Sequence, residues 1–175
     1  MIDEVEVRKI TCAWLSKKLK KRNANVFMSP IVLHGKGSFS DYIARKTDLS
    51  SLAATDDDIY REIKTWDVEP DVVSIVEKNG KALVILAECK STGSLTVEHL
   101  AQILLYSVVT RAHAAGIFFT GRLTRPVQNL MKSNIIKYEG FDETKVPVSL
   151  LIGLYSVGKK GEISRVYPKY EVFDI

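Results

Sequence analysis

The sequence is poor in cysteine and has no long apolar run. Its two cysteines, Cys12 and Cys89, are too few for a disulfide scaffold, a four-cysteine zinc site or an iron–sulfur cluster. Both lie in apolar segments, so we expect reduced, buried thiols. The longest membrane-like run, VSLLIGLYSV at residues 148–157, is about half as long as a bilayer-spanning helix requires. These shortages exclude disulfide-rich and membrane-spanning classes.

The chain also lacks a signal peptide and a strong charge bias. Its first segment, MIDEVEVRKI, is acidic and has no apolar core of the kind that directs secretion, so we expect a soluble, cytoplasmic protein without membrane partners. The net charge of +4 permits a polyanionic partner but does not require one. With 175 residues, 46% of them hydrophobic, the chain is expected to form a single domain with a substantial core.

Hydrophobic periodicity predicts helices and strands along most of the chain. A first helix is expected over residues 3–22, with an apolar stripe that includes Val5 and Val7. Its acidic start and its basic end, KKLKKR, match the helix dipole; the basic end is either a solvated turn or a contact to a nucleic-acid backbone. Residues 23–66 have a mixed pattern, with one helix expected from Asp41 and another opened by a capping aspartate in ATDDDIYREIKTW.

The pattern is clearer beyond residue 69. It predicts a hairpin over 69–90, a helix at 95–114, a strand at 115–120, a helix at 123–138 and a second hairpin around GKKG. The tail YEVFDI is either an edge strand or a dimer contact. This order predicts an α/β domain with a mixed central sheet covered on both faces by helices.

The first hairpin has a register that its turn determines. Asn79–Gly80 is a strong signal for a two-residue turn, which sets Lys78 opposite Lys81. Counting outward, Asp71 then opposes Glu88, with β-carbons roughly 4.5–5.5 Å apart. Both strands are apolar on both sides near their middle, so the hairpin is expected to be buried on both faces.

Two opposed carboxylates at the end of a buried hairpin are destabilising unless a proton or a cation lies between them. A magnesium ion held by Asp71, Glu88 and the carbonyl of Cys89 would remove the repulsion and keep waters for catalysis. Lys90, on the same face, would then hold or deprotonate a water and offset charge on phosphate. The alternative is a structural ladder in which Glu69 pairs with Lys90 and the two acids are solvated.

The segments EPD at 69–71 and ECK at 88–90, with sixteen residues between Asp71 and Glu88, resemble the PD-(D/E)xK nuclease superfamily. The resemblance covers residues 60–155 and implies a restriction-endonuclease-like three-layer sandwich. It divides the single domain of residues 1–175 into a poorly matched region, residues 1–60, with the first helix and substrate contacts, and a catalytic core at 60–175. It implies that Asp71 and Glu88 bind Mg²⁺ or Mn²⁺ and that Lys90 positions the attacking water.

The helix that follows adds QILLY, Gln102 to Tyr106, which resembles the Q-x-x-x-Y element of RecB-type nuclease domains. The two residues are four apart and share a helix face, as part of the active site or as an ordinary solvent-facing stripe. The cysteines that bind an iron–sulfur cluster in many RecB-type domains are missing, so no such cluster is expected. The resemblance also implies an acid on the first helix, for which Glu6 is the first candidate, ahead of Glu4 and Glu62.

The expected function is metal-dependent hydrolysis of DNA phosphodiesters, in DNA repair or recombination, on single-stranded, duplex or branched DNA. Lys36, Arg122 and Arg125 are the candidate DNA contacts, and each could equally be a solubilising surface residue. A structure-selective junction resolvase of the same fold, acting as a homodimer, is one alternative. A module that binds nucleic acid without cutting it, within a larger complex, is another.

Overall fold

The computed structural model describes residues 2–33, 35, 37–46, 49–91, 93–133, 137–141 and 147–173. The side chains of residues 46, 137–141 and 147–151 are outside this description. Among the described residues, the helices are α1 Glu4–Lys21, α2 Phe39–Lys46, α3 Ser50–Thr55, α4 Asp57–Glu62, α5 Val97–Val109 and α6 Arg125–Lys132. The strands among the same residues are β1 Asn25–Val32, β2 Val72–Lys78, β3 Lys81–Lys90, β4 Ser94–Leu95, β5 Ala114–Phe119, β6 Arg122–Leu123, β7 Lys137–Phe141, β8 Pro147–Val157 and β9 Ile163–Tyr167.

The main sheet is mixed, as the sequence predicts. Six strands lie side by side in the order β1-β2-β3-β5-β8-β7, and β9 pairs with the last part of β8. Strands β3, β5 and β8 are parallel to one another, whereas β1, β2, β7 and β9 pair antiparallel to their neighbours. The carboxyl ends of β3, β5 and β8 therefore meet at one edge of the sheet, which is called the site edge below.

Helices cover both faces of the sheet. Successive strand residues point to opposite sides, and apolar residues on both sides of the hairpin are buried beneath them. On one face, Val73, Ile75, Val84 and Leu86 pack in a core with residues of α2 to α6. On the other, Val72, Val76, Ile85, Ala87 and Cys89 pack with α1 and with an aromatic group. The hairpin is buried on both faces, which confirms the sequence prediction and is compatible with a three-layer arrangement.

Helix α1 has the predicted extent but buries a different stripe. Asp3 caps it by accepting a hydrogen bond from the backbone N–H of Glu6 at 2.8 Å. Its buried residues are Val7, Arg8, Thr11, Leu15 and Leu19, and Val5 is exposed. Four of these, Arg8, Thr11, Leu15 and Leu19, recur every three or four residues and so lie on one side of the helix. The buried stripe therefore includes an arginine and a threonine as well as apolar residues.

Two further predictions need correction. The helix expected over 123–138 ends at Lys132, and Lys137–Phe141 forms β7 instead, because that segment pairs with β8. Between Tyr167 and Phe173, the last residue described, the tail forms no strand: Phe173 is buried beside Phe118 and Tyr155, with ring centroids 6.0 and 5.5 Å away. Segment 23–66 contains β1 and three short helices, the last capped by Asp56 as predicted. Within the described part of the chain, none of the helices has the length and apolarity needed to cross a bilayer.

Candidate active site

The register of the β2–β3 hairpin brings the two predicted acids together. Asn79 and Gly80 both have positive φ, 54° and 74°, which is the backbone of a type I′ turn. Pairing runs without a shift from Lys78 opposite Lys81 to Val72 opposite Ala87, as the sequence predicts. Asp71 and Glu88 occupy the next position outward, at the site edge.

Both acids are buried. Asp71 is 4% exposed and Glu88 is 2% exposed, whereas Glu69 is exposed. The ammonium of Lys90 forms its ion pair with Glu88 at 2.6 Å. The alternative of a Glu69–Lys90 ladder with solvated acids is therefore wrong, because the acids lie in the protein interior and Lys90 contacts one of them.

Each carboxylate oxygen of Asp71 accepts a hydrogen bond. Arg8 donates from Nε to Oδ1 at 2.6 Å, and the backbone N–H of Cys89 donates to Oδ2 at 2.8 Å. Arg8 also donates from Nη2 to Oε1 of Glu4, one helical turn earlier on α1. Asp71 is thus held by helix α1 on one side and by the backbone of β3 on the other.

The carboxylate of Glu88 has fewer hydrogen-bond partners than that of Asp71. Its Oε1 accepts a hydrogen bond from Lys90 Nζ at 2.6 Å, but its buried Oε2 has no hydrogen-bond partner among the described residues. Burial and then the negative charge of Asp71 raise the pKa of Glu88 to about 7, against the opposing effects of Lys90 and of a hydrogen bond from the Asp71 backbone. An unpartnered carboxylate oxygen in the interior costs free energy, which a proton or a cation would offset.

Lys90 remains a cation at this site. Burial lowers its pKa, but the hydrogen bond and charge of Glu88, with smaller effects of Asp71 and Glu4, outweigh burial, so the net shift is upward. A protonated ammonium donates hydrogen bonds and offsets negative charge. Of the two roles predicted for Lys90, holding a water or phosphate therefore fits this arrangement better than removing a proton.

Proline at position 70 leaves the carbonyl of Cys89 without its ladder partner. The register sets Pro70 opposite Cys89 in a pair whose backbone groups would hydrogen-bond to each other. Pro70 has no N–H to donate, and the N–H of Cys89 turns to the Asp71 side chain instead. Since the N–H and C=O of one strand residue point to the same side, the Cys89 carbonyl faces the side of Asp71.

These groups fit one divalent cation with oxygen ligands. Asp71 and Glu88 would supply carboxylates and Cys89 its carbonyl, and Mg²⁺ commonly uses only one or two protein carboxylates. The unpartnered Oε2 of Glu88 is the observation that favours a ligand there. Within the described residues there is no cluster of three or more His, Cys, Asp or Glu side chains arranged around a common point.

The structure distinguishes among the three candidates for the first-helix acid. Glu6 is exposed and pairs with Lys9 at 3.8 Å, and Glu62 pairs with Arg111 at 3.0 Å. Neither is brought to the carboxylate pair. Glu4 is connected to Asp71 through Arg8. Arg8 was not anticipated from the sequence, because helical periodicity alone does not determine which stripe of α1 faces the sheet.

Helix α5 borders the site with its first turn. Gln102 and Tyr106 share a face, as predicted, and Gln102 Nε2 donates to the Tyr106 hydroxyl at 3.2 Å. No hydrogen bond in the described part of the chain joins either of them to Lys90. His99 is a neighbour that sequence reasoning missed: burial and then the charge of Lys90 lower its pKa. Its Nδ1 accepts a hydrogen bond from the backbone N–H of Thr96 at 3.1 Å.

The predicted DNA contacts differ in position. Arg122 and Arg125 are exposed and follow β5 where it emerges at the site edge. The strand pairing sets Lys90 beside Phe119, and the N–H of Arg122 donates to the carbonyl of Gly93 at 3.1 Å. Both arginines thus lie on the same edge as the carboxylate pair. Lys36 lies outside the described residues.

Comparison of the chain with protein-family models, with curated proteins and with solved structures finds no match.

Proposed function

We propose that this protein is a divalent-metal-dependent deoxyribonuclease with a restriction-endonuclease-like fold. One observation carries the proposal: two opposed carboxylates, Asp71 and Glu88, are buried at a sheet edge beside Lys90, and Glu88 retains an oxygen without a partner. Buried polar atoms without a partner are few in native proteins, and a bound ion is one of the explanations for such an atom. The resemblance of EPD and ECK to the PD-(D/E)xK pattern supports the same reading.

In this proposal Asp71, Glu88 and the Cys89 carbonyl hold the metal. A bound divalent ion would supply a Lewis acid and a source of hydroxide at neutral pH. Lys90 donates hydrogen bonds to the attacking water or to a phosphate oxygen and offsets negative charge as it builds up. Arg8 and the Cys89 N–H keep the Asp71 carboxylate in a fixed orientation.

DNA is the proposed substrate because cations surround the acidic pair at the same edge. Arg122 and Arg125 follow β5, and the exposed Lys159 and Lys160 lie in the turn after β8. Since β3, β5 and β8 are parallel, all of these groups lie at the site edge. Lysine and arginine side chains bind phosphate irrespective of base sequence, so they fit a phosphodiester backbone.

The direct test is cleavage of end-labelled DNA in single-stranded, duplex, circular and four-way-junction forms, with Mg²⁺, Mn²⁺ or EDTA. We expect cleavage only with metal, and at least about a hundredfold loss of rate for Lys90→Ala and Glu88→Gln. Glu69→Gln, a change of an exposed acid on the adjacent strand end, is the matched control and should retain wild-type rates. Absence of cleavage by the wild type under every metal, or wild-type rates in both variants, would contradict the proposal.

A second candidate is a DNA-binding module that does not cut. The observation that favours it is the pairing of both acids with cations, Asp71 with Arg8 and Glu88 with Lys90, which gives the site internal charge compensation. In that case fluorescence anisotropy would detect DNA binding in EDTA, and metal would change neither the binding nor the DNA. Selective cutting of the four-way junction would instead favour a junction resolvase.

A further inference from the structure

Arg8 is the cation nearest to Asp71, and it is buried. Its side chain is 7% exposed, and its Nε lies 2.6 Å from Oδ1 of Asp71. Its other described contact is the carboxylate of Glu4, whose side chain is 32% exposed. The guanidinium thus bridges a buried acid and a partly solvated acid four residues before it on the same helix.

This contact explains how the hairpin tolerates the opposed acids. Asp71 lies 2.6 Å from a guanidinium that is always protonated, and Glu88 has the ammonium of Lys90. A divalent ion bound to the same two carboxylates would lie within a few ångströms of Arg8. Charges of the same sign repel strongly at such distances in a low-dielectric site.

We propose that Arg8 is the resident counter-cation of Asp71 and competes with the divalent metal for that carboxylate. The inference rests on the proposed metal site. Metal entry releases the Nε contact to Asp71, while Glu4 retains the guanidinium through Nη2. Glu4 therefore acts as the acceptor that takes over Arg8, and the affinity for metal depends on how the guanidinium divides its contacts between two carboxylates.

The opposite role for Arg8 would be positional. If Arg8 only orients Asp71 for the metal, its loss would disorder the ligand and weaken metal binding. The two roles differ in sign, and this makes them separable with measurements that do not use DNA. The competing role predicts tighter metal binding without Arg8, whereas the positional role predicts weaker binding.

The test compares Arg8→Gln with the wild type by calorimetric titration with Mg²⁺ and Mn²⁺ and by thermal melting in EDTA and in metal. We expect Arg8→Gln to melt at a lower temperature in EDTA, to gain more from metal than the wild type, and to bind metal at least about tenfold more tightly. Lys9→Gln, an exposed change at the next residue of α1, is the matched control and should match the wild type. Equal or weaker metal binding by Arg8→Gln would overturn the inference.

Glu4→Gln supplies a second variant with the opposite expected sign. Without the Glu4 carboxylate, Arg8 has only Asp71 as an anionic partner, so metal binding should weaken severalfold. If Arg8→Gln folds only when metal is present, the metal has replaced Arg8 as counter-cation, which supports the inference. If it folds under neither condition, Arg8→Lys takes its place: the weaker bridge of a lysine should again give tighter metal binding, and unchanged or weaker binding would overturn the inference.

Failure of the inference and failure of the proposed function give different results. If the wild type cuts DNA but Arg8→Gln binds metal no more tightly, the proposed function stands and the inference about Arg8 fails. If the wild type cuts nothing but Arg8→Gln binds metal more tightly, the inference stands and the proposed function fails. Adding Glu88→Gln to Arg8→Gln should abolish the gain, because the metal then loses a proposed ligand.

Discussion

At each end of the β2–β3 hairpin two residues of like charge face each other, but their repulsion is offset in different ways. At the turn, Lys78 opposes Lys81, and both are exposed. At the other end, Asp71 and Glu88 are opposed and buried. Water screens the lysine pair, so their repulsion costs little. The acids are buried away from water, so protein cations or a bound ion must offset their charge. Burial, and not the pairing of like charges, distinguishes the end that carries the candidate site.

The largest expected difference between the two ends is in the cost of removing a charge. Asp71→Ala leaves buried Arg8 without its buried anionic partner and the Cys89 N–H without its acceptor. We expect the free energy of unfolding to fall by about 3 kcal/mol, measured by urea denaturation in EDTA. Lys78→Ala, at the exposed end, should change it by less than about 0.5 kcal/mol.

Asp71→Asn refines this comparison, because it retains the acceptor for the Cys89 N–H and removes only the charge. Its loss of stability should lie between those of the other two variants. If Asp71→Ala and Lys78→Ala were equally stable, burial would not be what distinguishes the two ends of the hairpin.

The next effect is a pH dependence that belongs to the buried end alone. The pKa of Glu88 is raised to about 7 in the folded protein, from 4.5, so the folded state binds this proton more tightly than the unfolded state. Its contribution to stability is complete below about pH 4.5 and is lost as the pH rises to about 7. In EDTA, the wild type should lose roughly 1–3 kcal/mol relative to Glu88→Gln across this range.

Urea denaturation of both proteins between pH 4 and pH 8 measures this difference directly. A constant difference in unfolding free energy between the wild type and Glu88→Gln over that range would contradict the raised pKa. Titrating groups remote from Glu88 are common to both proteins, so their effects cancel in the comparison.

A smaller effect is expected from the turn that sets the register. Gly80 has φ of 74°, a conformation that costs a residue with a β-carbon roughly 1–2 kcal/mol. Gly80→Ala should therefore lower the unfolding free energy by about that amount, measured by thermal or urea denaturation. Gly93, which has open space and no positive φ, gives the control Gly93→Ala, with little change expected. Equal effects of the two substitutions would mean that the turn does not constrain the hairpin.

The smallest effect should come from the exposed lysine pair. Lys78→Glu converts a repulsive cross-strand pair into an attractive one, and we expect a gain of roughly 0.2–1 kcal/mol. The gain should shrink as salt is raised from low concentration to about 1 M, which thermal denaturation can follow. Lys78→Gln, with the charge removed and not reversed, should show about half the gain. A gain that is insensitive to salt would point to a cause other than charge.

The sequence predicts most of what local chemistry determines. Asn79–Gly80 determines the turn, the period of two determines which hairpin residues share a face, and together they bring Asp71 to Glu88. The resemblance named the same residues as metal ligands, a role that stays a prediction. The elements missed or misplaced depend on distant partners: β7 exists because it pairs with β8, and Phe173 is buried because Phe118 and Tyr155 receive it.

The same reason explains why Arg8 was missed and Glu6 was preferred. Both lie in the first turns of an amphipathic helix. Which of them faces the sheet depends on how α1 is rotated about its own axis when it packs. Helical periodicity alone leaves that rotation undetermined to within about one residue. The buried stripe through Arg8, Thr11 and Leu15 is known only once α1 packs on the sheet.

The span of the Arg8–Asp71 contact has a consequence for how the chain folds. The two residues are 63 positions apart, whereas the hairpin that opposes the acids closes through a two-residue turn. Hairpins form within microseconds, and closing a long loop carries a larger entropic cost. The acids should therefore meet first while still hydrated, and they lose their water when α1 docks. Docking of α1 is then expected to bring the guanidinium to Asp71 and to remove water from the carboxylates together.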